Sequence, residues 1–301
     1  MARIRLPDQF LKKKETAPLG FDRFYCISKG TMATGFRLII ALADGGALMA
    51  KVVAWRFDGY ADTVSGCMTD AGAADLLASG RPVMLKPNLV NDTPFPVTTP
   101  PAFCEAVIAF VRRCTDAPIV IAEGCGAATL ETPDVFARLG YVRMARQREV
   151  QLIDLNRAHL VRLQNESCHR FPEMWLPEMV FNHVLISLPV LKAHSLCGFT
   201  GSMKNMMGLV PPSRYAGRYG SWKKAAFHQR LDDAIVELNR YRSPDFTVFD
   251  ATVGLADFHL GGASCNPPCN QVLAGANARA VDREAAGLLG LDWRCIGHLI
   301  D

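Results

Sequence analysis

Short apolar runs rich in β-branched residues alternate with longer, amphipathic segments along most of the chain. The runs predict β-strands and the segments between them predict helices, which is the pattern of repeated βαβ units. The predicted strands span residues 51–57, 82–86, 118–122, 150–154, 183–188, 246–250 and 271–275, and the predicted helices span residues 60–78, 101–114, 132–139, 198–207, 222–241 and 279–290. Because several strands are apolar nearly throughout, we expect a three-layer α/β fold, with a mostly parallel sheet and helices on both faces.

The first 48 residues lack this regular pattern, which begins at the strand after Met49. We therefore expect residues 1–48 to form a poorly structured N-terminal extension and residues 49–301 to form a single α/β domain. Translation from Met49 would explain the change of pattern, and so would a genuine N-terminal element. The mass of the N-terminus in the native protein distinguishes these two explanations.

The composition is that of a globular protein with a mildly basic surface. Half of the 301 residues are hydrophobic and 21% are charged, which is unlike the composition of a disordered chain. The net charge of +4 is spread along the sequence, whereas a nucleic-acid-binding protein concentrates its basic residues on one face. We therefore predict no nucleic-acid partner.

Neither the N-terminus nor the longest apolar tract predicts a membrane segment. The first residues carry charge without the apolar stretch of a signal peptide, and the tract FRLIIALADGGALMAKVVAW is interrupted by polar residues and glycines. The ten cysteines are scattered through a long chain, unlike the dense pattern of a disulfide scaffold. We therefore predict a cytoplasmic protein with no membrane partner.

Polar residues follow the predicted strands at the points where those strands end. The carboxyl ends of parallel strands lie at one edge of a sheet, and ligands bind at that edge. The residues that we expect to converge there are Lys86, Asn88, Glu123, Lys192, His194 and Asp250. Among them, Glu123, Lys192, His194 and Asp250 are the predicted catalytic residues.

The segment LPVLKAHSLCGFTGSMKNMMG, residues 188–208, places two lysines and a histidine beside apolar sequence. Burying an unpaired lysine costs several kcal/mol, so Lys192 and Lys204 predict a bound anion. A helix that begins near Gly201 would add backbone N–H groups to such a site. His194 would act there as a general acid or base, or as a metal ligand. The predicted partner is a small anionic metabolite, and its predicted binding residues are Lys86, Asn88, Gly201, Lys204 and Asn205.

A second motif, GGASCNPPCN, holds Cys265 and Cys269 four positions apart. Thiolates bind zinc, iron or copper, so the pair is a candidate metal site if a third nitrogen or sulfur donor lies nearby. An inert pair in a proline-containing loop is the alternative, and the identity of any cofactor stays open. Downstream, Asp282 lies at the start of the last predicted helix, where it would be either a helix cap or a site carboxylate.

Six short strings carry a resemblance to a known family. They are, in chain order, LKPNLV, TTPPAF, IAEG, LPVLKAH, KNMMGLVPP and AVDREAAGLLGLDW. Over roughly residues 50–301 the chain resembles the domain of unknown function 362 family. Some members of that family carry ferredoxin-like cysteine clusters, but this chain has no CxxCxxC run, so the resemblance does not imply an iron–sulfur cluster. The layout is also distantly similar to the N-terminal domain of nickel-pincer lactate racemase. In that domain a lysine and histidines surround a phosphate-bearing, metal-containing cofactor. A similar fold does not by itself imply the same function.

The function that these residues predict is an enzyme acting on a small anionic ligand, which carries a carboxylate or a phosphate, in a cleft lined by lysine and histidine. One alternative is a metal- or cofactor-binding protein, with an iron–sulfur cluster or another transition metal, and elemental analysis of the purified protein tests it. The other alternative is a non-catalytic anion-binding module, which turnover in a metabolite screen would exclude. The oligomeric state stays open.

Overall fold

The computed structural model describes residues 30–32, 35–42, 50–217 and 223–300. Thirteen strands are present in this part of the chain: β1 (Gly30–Met32), β2 (Gly35–Leu42), β3 (Ala50–Arg56), β4 (Val83–Pro87), β5 (Ile119–Glu123), β6 (Gln151–Asp154), β7 (Leu160–Gln164), β8 (Glu173–Pro177), β9 (Val184–Leu188), β10 (Val190–His194), β11 (Gly198–Thr200), β12 (Phe246–Leu255) and β13 (Gln271–Gly275). The α-helices there are α1 (Tyr60–Asp70), α2 (Ala73–Leu77), α3 (Pro101–Cys114), α4 (Thr132–Arg138), α5 (Tyr141–Gln147), α6 (Met179–Asn182), α7 (Ser202–Asn205), α8 (Pro212–Tyr215), α9 (Leu231–Tyr241) and α10 (Ala278–Leu288).

One mixed sheet organises the fold, and its strands follow the order β1-β2-β3-β13-β12-β9-β4-β5-β6. The strands from β12 to β6 in this order run parallel to one another, while β13, β3 and β2 extend the sheet through antiparallel pairs. Strand β10 follows β9 after a single residue, Pro189, and pairs in parallel with the second half of β12. The parallel strands therefore share one carboxyl edge, as the sequence predicts.

Helices cover both faces of this sheet, which confirms the predicted α/β fold. Side chains alternate along each strand, so Met84 enters one apolar core while Val83 and Leu85 enter the other. Helices α7, α9 and α10 pack on the face that Met84 shares, and helices α1 to α5 pack on the opposite face. Within the described part of the chain, no helix combines the length and the apolar character that crossing a membrane requires.

Part of the predicted N-terminal extension belongs to the sheet, which corrects that prediction. Residues Gly35–Leu42, with the sequence GFRLIIAL, form β2 and pair antiparallel with β3, from Arg37 opposite Trp55 to Leu42 opposite Ala50. The apolar, β-branched character of this run is that of a strand, although no regular pattern surrounds it. Residues 1–29, 33–34 and 43–48 of the predicted extension lie outside the described residues.

The helix predicted for residues 198–207 is mostly a different structure. Gly198–Thr200 forms β11, which pairs antiparallel with β10 so that His194 lies opposite Gly198. Only Ser202–Asn205 is α-helical, and a 3-10 helix, Met206–Leu209, follows it. The tight β10–β11 hairpin, with Gly198 at φ 75°, replaces the first part of the predicted helix.

Candidate functional site

A cleft with a volume of about 310 Å³ opens where β4, β5, β10 and β12 end. It lies at the shared carboxyl edge of the parallel strands, where α/β proteins bind their ligands. Its lining residues come from the loops after these strands, from α7 and from the segment before α9. They are Asn88, Leu89, Val90, Glu123, Gly124, Gly126, His194, Ser195, Leu196, Lys204, Asn205, Met207, Gly208, Lys224, His228, Phe258, His259 and Leu260.

The structure brings together most, but not all, of the residues that the sequence predicts for a site. Those that line the cleft are Asn88, Glu123, His194, Lys204 and Asn205. Lys86 and Lys192 lie beneath its wall, with 0% and 1% of their surface exposed. Gly201 and Asp250 do not line it. The hydrogen-bond partners of each side chain decide whether that side chain is available to a ligand.

Lys86 and Glu123 form a buried ion pair at the base of the cleft. Lys86 Nζ lies 2.9 Å from Glu123 Oε1 and 2.8 Å from Oε2, and it also donates to Asn205 Oδ1 at 3.2 Å. The backbone N–H groups of Leu89 and Gly124 donate to the same carboxylate. Burial lowers the pKa of Lys86, while the Glu123 charge acts in the opposite direction. Neither charge is left over for a ligand, so the pair stabilises the wall of the cleft.

Two glycines allow this ion pair and the neighbouring helix to pack closely. A Cβ on Gly208 would overlap both Lys86 Nζ and Glu123 Oε1. A Cβ on Gly201 would overlap the carboxylate of Asp282. Both positions therefore require glycine because of close contacts, which is a common structural use of this residue.

The N-terminus of α7 is already capped by the side chain of Asp282, which corrects the predicted role of Gly201. The backbone N–H groups of Ser202 and Met203 donate to the two Asp282 oxygens at 2.6 and 2.8 Å. Burial raises the pKa of Asp282 to about 7, and the two backbone hydrogen bonds act in the opposite direction. Asp282 therefore caps a helix other than its own, since Asn277 caps α10. The first two N–H groups of the helix that begins after Gly201 are therefore already bound to Asp282.

Lys192 is also held within the protein. Its Nζ donates to Asn88 Oδ1 at 2.8 Å and to the backbone oxygen of Val97 at 2.6 Å. Burial, followed by the nearby charge of Lys204, lowers the pKa of Lys192 to about 7. These contacts fix the loop that carries Asn88, so Lys192 belongs to the cleft wall and its amine is already paired within the protein.

We expect a Lys192→Met variant to lose stability. The substitution leaves Asn88 Oδ1 and the Val97 oxygen without their donor, at a cost of about 1–3 kcal/mol in the free energy of unfolding. Urea denaturation measures this loss, and Lys51→Met, which removes the same charge from an exposed position on β3, should change the free energy of unfolding by less than about 0.5 kcal/mol. A Lys192→Met protein as stable as wild type would contradict the assignment.

Asp250 is turned away from the cleft, which corrects its predicted catalytic role. It lies in the middle of β12, which continues five residues beyond the predicted strand to Leu255. Its carboxylate accepts hydrogen bonds from Tyr60 at 2.7 Å and from the Thr252 hydroxyl at 2.7 Å. Burial raises the pKa of Asp250 and these bonds lower it. The end of β12 instead delivers Phe258 and His259 to the cleft.

The side-chain amine of Lys204 is available to a ligand in the cleft. It lies on α7, lines the cleft and is partly exposed. Among the described residues, none accepts a hydrogen bond from its Nζ. Burial lowers the pKa of Lys204, with the nearby thiol of Cys197 acting in the opposite direction. An amine in this position gains most from a negatively charged partner, because such a partner compensates for the lost hydration.

Two stacked imidazoles form the wall next to Lys204. The rings of His194 and His259 lie 3.9 Å apart between centroids, with an angle of 22° between their planes. His194 Nδ1 accepts the backbone N–H groups of Leu196 and Cys197, which assigns the ring hydrogen to Nε2. Burial, followed by the charge of Lys204, lowers the pKa of His194 to about 2, and the same two causes lower the pKa of His259 to about 4. Both rings are therefore neutral near pH 7.

One polar atom in this wall lacks a partner. His259 Nδ1 is buried and makes no hydrogen bond with the described part of the chain. Buried polar atoms in folded proteins are nearly always paired, so an unpaired one at a cleft is where a ligand or water would bind. The cleft therefore has an open amine on one residue and, on a neighbouring lining residue, a buried ring nitrogen without a partner among the described residues.

Lys224 and His228 also line the cleft, although the sequence pattern does not predict them as site residues. Lys224 Nζ donates to the backbone oxygens of Gly124, Met207 and Gly208, at 2.6, 3.1 and 3.1 Å. Burial lowers the pKa of Lys224 to about 7, but three acceptors require three N–H groups, which only the ammonium form supplies. His228 Nδ1 donates to the Lys224 oxygen, and burial lowers the pKa of this ring as well. The only sequence signal was the isolated lysine pair at 223–224, which resembles an ordinary surface feature.

Cys265 and Cys269 do not assemble a metal centre with the described residues. Both sulfurs lie beside Gly254, and the nearby Cys265 thiol contributes, after burial, to raising the pKa of Cys269 to about 11. The described residues contain no group of three or more histidine, cysteine, aspartate or glutamate side chains arranged to hold a metal ion. A thiol with a raised pKa and no third donor nearby is a poor metal ligand, so the predicted metal role of this pair is not supported.

Comparison with known proteins places the chain in a family. The domain of unknown function 362 (DUF362) matches residues 83–287, about two thirds of the sequence. The chain belongs to the DUF362 family. The matched region runs from β4 to α10 and contains every lining residue of the cleft, so the cleft is a feature of the DUF362 region and not of the strands that precede it. No curated protein matches the sequence significantly.

Proposed function

We propose that this DUF362 protein is an enzyme whose cleft binds a small anionic substrate, carrying a carboxylate or a phosphate, through Lys204. The observation that carries the proposal is the open amine of Lys204, in a cleft whose other charges have partners within the protein. A ligand carboxylate or phosphate would accept a charge-assisted hydrogen bond from Nζ, which is a strong kind of hydrogen bond in proteins.

The balance of charge in the cleft supports an anion. Glu123 is the one carboxylate among the described lining residues, and Lys86 neutralises it. Lys224 is held as an ammonium by three carbonyl groups, so its positive charge adds to that of Lys204. The cleft is therefore positive overall, and its low-polarity walls strengthen the attraction of an anionic ligand.

The chemical role of His194 follows from its hydrogen bonds. Because Nδ1 accepts two backbone N–H groups, the ring presents Nε2–H as a donor. A neutral imidazole that donates a hydrogen bond stabilises negative charge as it develops on a substrate oxygen, without the need to lose a proton. We propose this electrophilic role for His194, in place of the general acid–base or metal-ligand role that the sequence predicts.

The pH dependence of binding tests which group supplies the positive charge. Acetate stays ionised well above the usual carboxyl pKa, so its affinity should follow the protonation of the protein alone. We expect the affinity to fall as the pH rises, with a midpoint below 10.5, because burial lowers the pKa of Lys204 from that value. Titration of acetate by calorimetry between pH 6 and pH 10 measures the profile.

Two variants separate Lys204 from His194 in this experiment. Lys204→Arg keeps its charge throughout the range and should flatten the profile. His194→Gln should leave the midpoint unchanged, since His194 is neutral at every pH tested. A fall in affinity that disappears in His194→Gln and persists in Lys204→Arg would show that an imidazolium, and not Lys204, binds the anion.

A screen for turnover separates an enzyme from a binding module. Anions that bind the wild-type protein serve as candidate substrates, and their conversion is followed by mass spectrometry. We expect His194→Leu to bind the substrate and to convert it at least tenfold more slowly, because leucine has no donor, and a missing donor to a developing charge affects the reaction more than the binding. Conversion at the wild-type rate by His194→Leu would contradict the electrophilic role.

A further inference from the structure

The mouth of the cleft is apolar and exposed, unlike its interior. Three large hydrophobic side chains in the described part of the chain are exposed: Leu196 at 64%, Phe258 at 43% and Ile300 at 47%. Two of these three, Leu196 and Phe258, line this one cleft. They come from different loops, the turn after β10 and the loop after β12, so the fold brings them together at the ligand-binding edge.

A continuous wall of rings connects this mouth to the interior. The Phe258 ring contacts the His259 ring at a centroid distance of 4.9 Å and an angle of 61°. His259 in turn stacks on His194, and the charge of Lys204 acts on both imidazoles. One side of the cleft thus changes from apolar at the mouth to polar and positive in its interior.

The volume of the cleft exceeds what a small inorganic anion fills. Its 310 Å³ corresponds to about ten water molecules at about 30 Å³ each. Cavities of this size are at the lower end of those that bind organic ligands in proteins. An anion at Lys204 would leave the space beside Phe258 and Leu196 free for the rest of the same molecule.

We propose that the ligand is amphiphilic, with a carboxylate or phosphate head at Lys204 and an apolar, preferably planar tail between Leu196 and Phe258. This inference rests on the proposed function and specifies the class of substrate. The tail removes the two exposed side chains from water, and a planar tail packs against the rings of Phe258 and His259 as aromatic groups do in protein interiors. Leu196 and Phe258 are then specificity-determining residues, while Lys204 binds the head.

A series of carboxylates with one head and growing tails tests the inference. Acetate, butyrate, hexanoate and 3-phenylpropionate are titrated into the wild-type protein by calorimetry. Each methylene that enters the cleft should tighten binding about fourfold until the tail fills the space. 3-Phenylpropionate should therefore bind at least tenfold more tightly than acetate.

Matched variants locate the tail. Phe258→Ser and Leu196→Ser should each reduce by at least threefold the ratio of the affinity for 3-phenylpropionate to the affinity for acetate, both measured with the same variant. Ile300→Ser, which alters an equally exposed hydrophobic residue outside the lining of the cleft, should change neither affinity. Because all three side chains are exposed, none of the variants should unfold the protein, and thermal melts verify this.

The outcomes distinguish this inference from the proposed function. If acetate binds but a longer tail gives no gain, or if the gain survives in both Phe258→Ser and Leu196→Ser, the amphiphilic ligand is wrong and anion binding stands. If the uncharged 3-phenylpropanamide binds as tightly as 3-phenylpropionate, the tail site stands and the anion proposal is wrong. If none of the carboxylates binds, the amphiphilic ligand is wrong, and if inorganic phosphate also fails to bind, both proposals are wrong.

Discussion

Replacing Glu123 by alanine is expected to lower the free energy of unfolding by about 3–5 kcal/mol, the largest loss that we predict. The carboxylate has a relative exposure of 4% and forms a 2.8 Å ion pair with the fully buried Lys86. Without it, Lys86 must either keep an uncompensated charge in the interior or give up its proton, and both cost free energy. Urea denaturation of Glu123→Ala measures the loss.

Two comparisons separate this ion pair from a general effect of removing a carboxylate. Asp92→Ala breaks an ion pair of the same length, 2.8 Å, with Arg138 at the surface, and should cost at most about 1 kcal/mol. The double variant Lys86→Met/Glu123→Leu replaces both charges with apolar groups and should be more stable than Glu123→Ala alone. If the free energy of unfolding of Glu123→Ala lies within about 1 kcal/mol of wild type, burial of Lys86 does not require this carboxylate.

Replacing Asp282 by alanine is expected to destabilise the protein by about 3 kcal/mol or more. The two N–H groups at the start of α7 would lose their acceptors, and hydrogen bonds to a charged group contribute about 1.5–3 kcal/mol each. Asp282→Asn keeps one side-chain oxygen as an acceptor, so its free energy of unfolding should fall by less than that of Asp282→Ala. Urea denaturation of the two variants measures these differences.

The exposed Asp116 offers a control for charge, since Asp116→Ala should leave the free energy of unfolding within about 0.5 kcal/mol of wild type. An Asp282→Ala protein that is fully stable and binds acetate more tightly than wild type would mean that α7 accepts an external anion. That result would restore the helix N-terminus as the binding site and displace Lys204 from that role.

The edge of the sheet that holds the cleft follows from the sequence alone. The strands predicted from β-branched runs begin and end within one or two residues of the observed strands at most ends. The carboxyl ends of parallel strands lie at the same edge of a sheet. Residues at or just after the ends of the parallel strands, such as Asn88, Glu123 and His194, therefore line one cleft. Their convergence follows from strand direction alone.

The partners of the buried lysines could not be predicted in the same way. Lys86, Lys192 and Lys204 are all lysines beside apolar sequence. Lys86 and Lys192 have hydrogen-bond partners within the protein, whereas the amine of Lys204 is open to the cleft. The difference lies in contacts between residues more than 30 positions apart, such as Lys86 with Glu123. Sequence pattern predicts which residues reach the edge of the sheet, but not which acceptors they find there.

The misassignment of Asp250 has a different cause. The run FTVFDATVGL continues as a strand through its aspartate because Tyr60 and Thr252 satisfy the carboxylate. A buried aspartate in mid-strand is rare enough that the pattern predicts a strand end there. His259 reaches the cleft from a loop without periodicity. His228 lies within the predicted helix at residues 222–241, but the observed α9 begins only at Leu231, so the sequence does not mark either residue as part of the cleft.

A calorimetric titration of acetate and inorganic phosphate into wild type, Lys204→Met and Lys51→Met tests the central claim most directly. We predict that wild type and Lys51→Met bind at least one of these anions equally well. Lys204→Met should bind it about tenfold to a hundredfold more weakly, the value of one charge-assisted hydrogen bond, while its thermal melt stays close to that of wild type. Failure of both anions to bind wild type, or equal binding by Lys204→Met, would contradict the account.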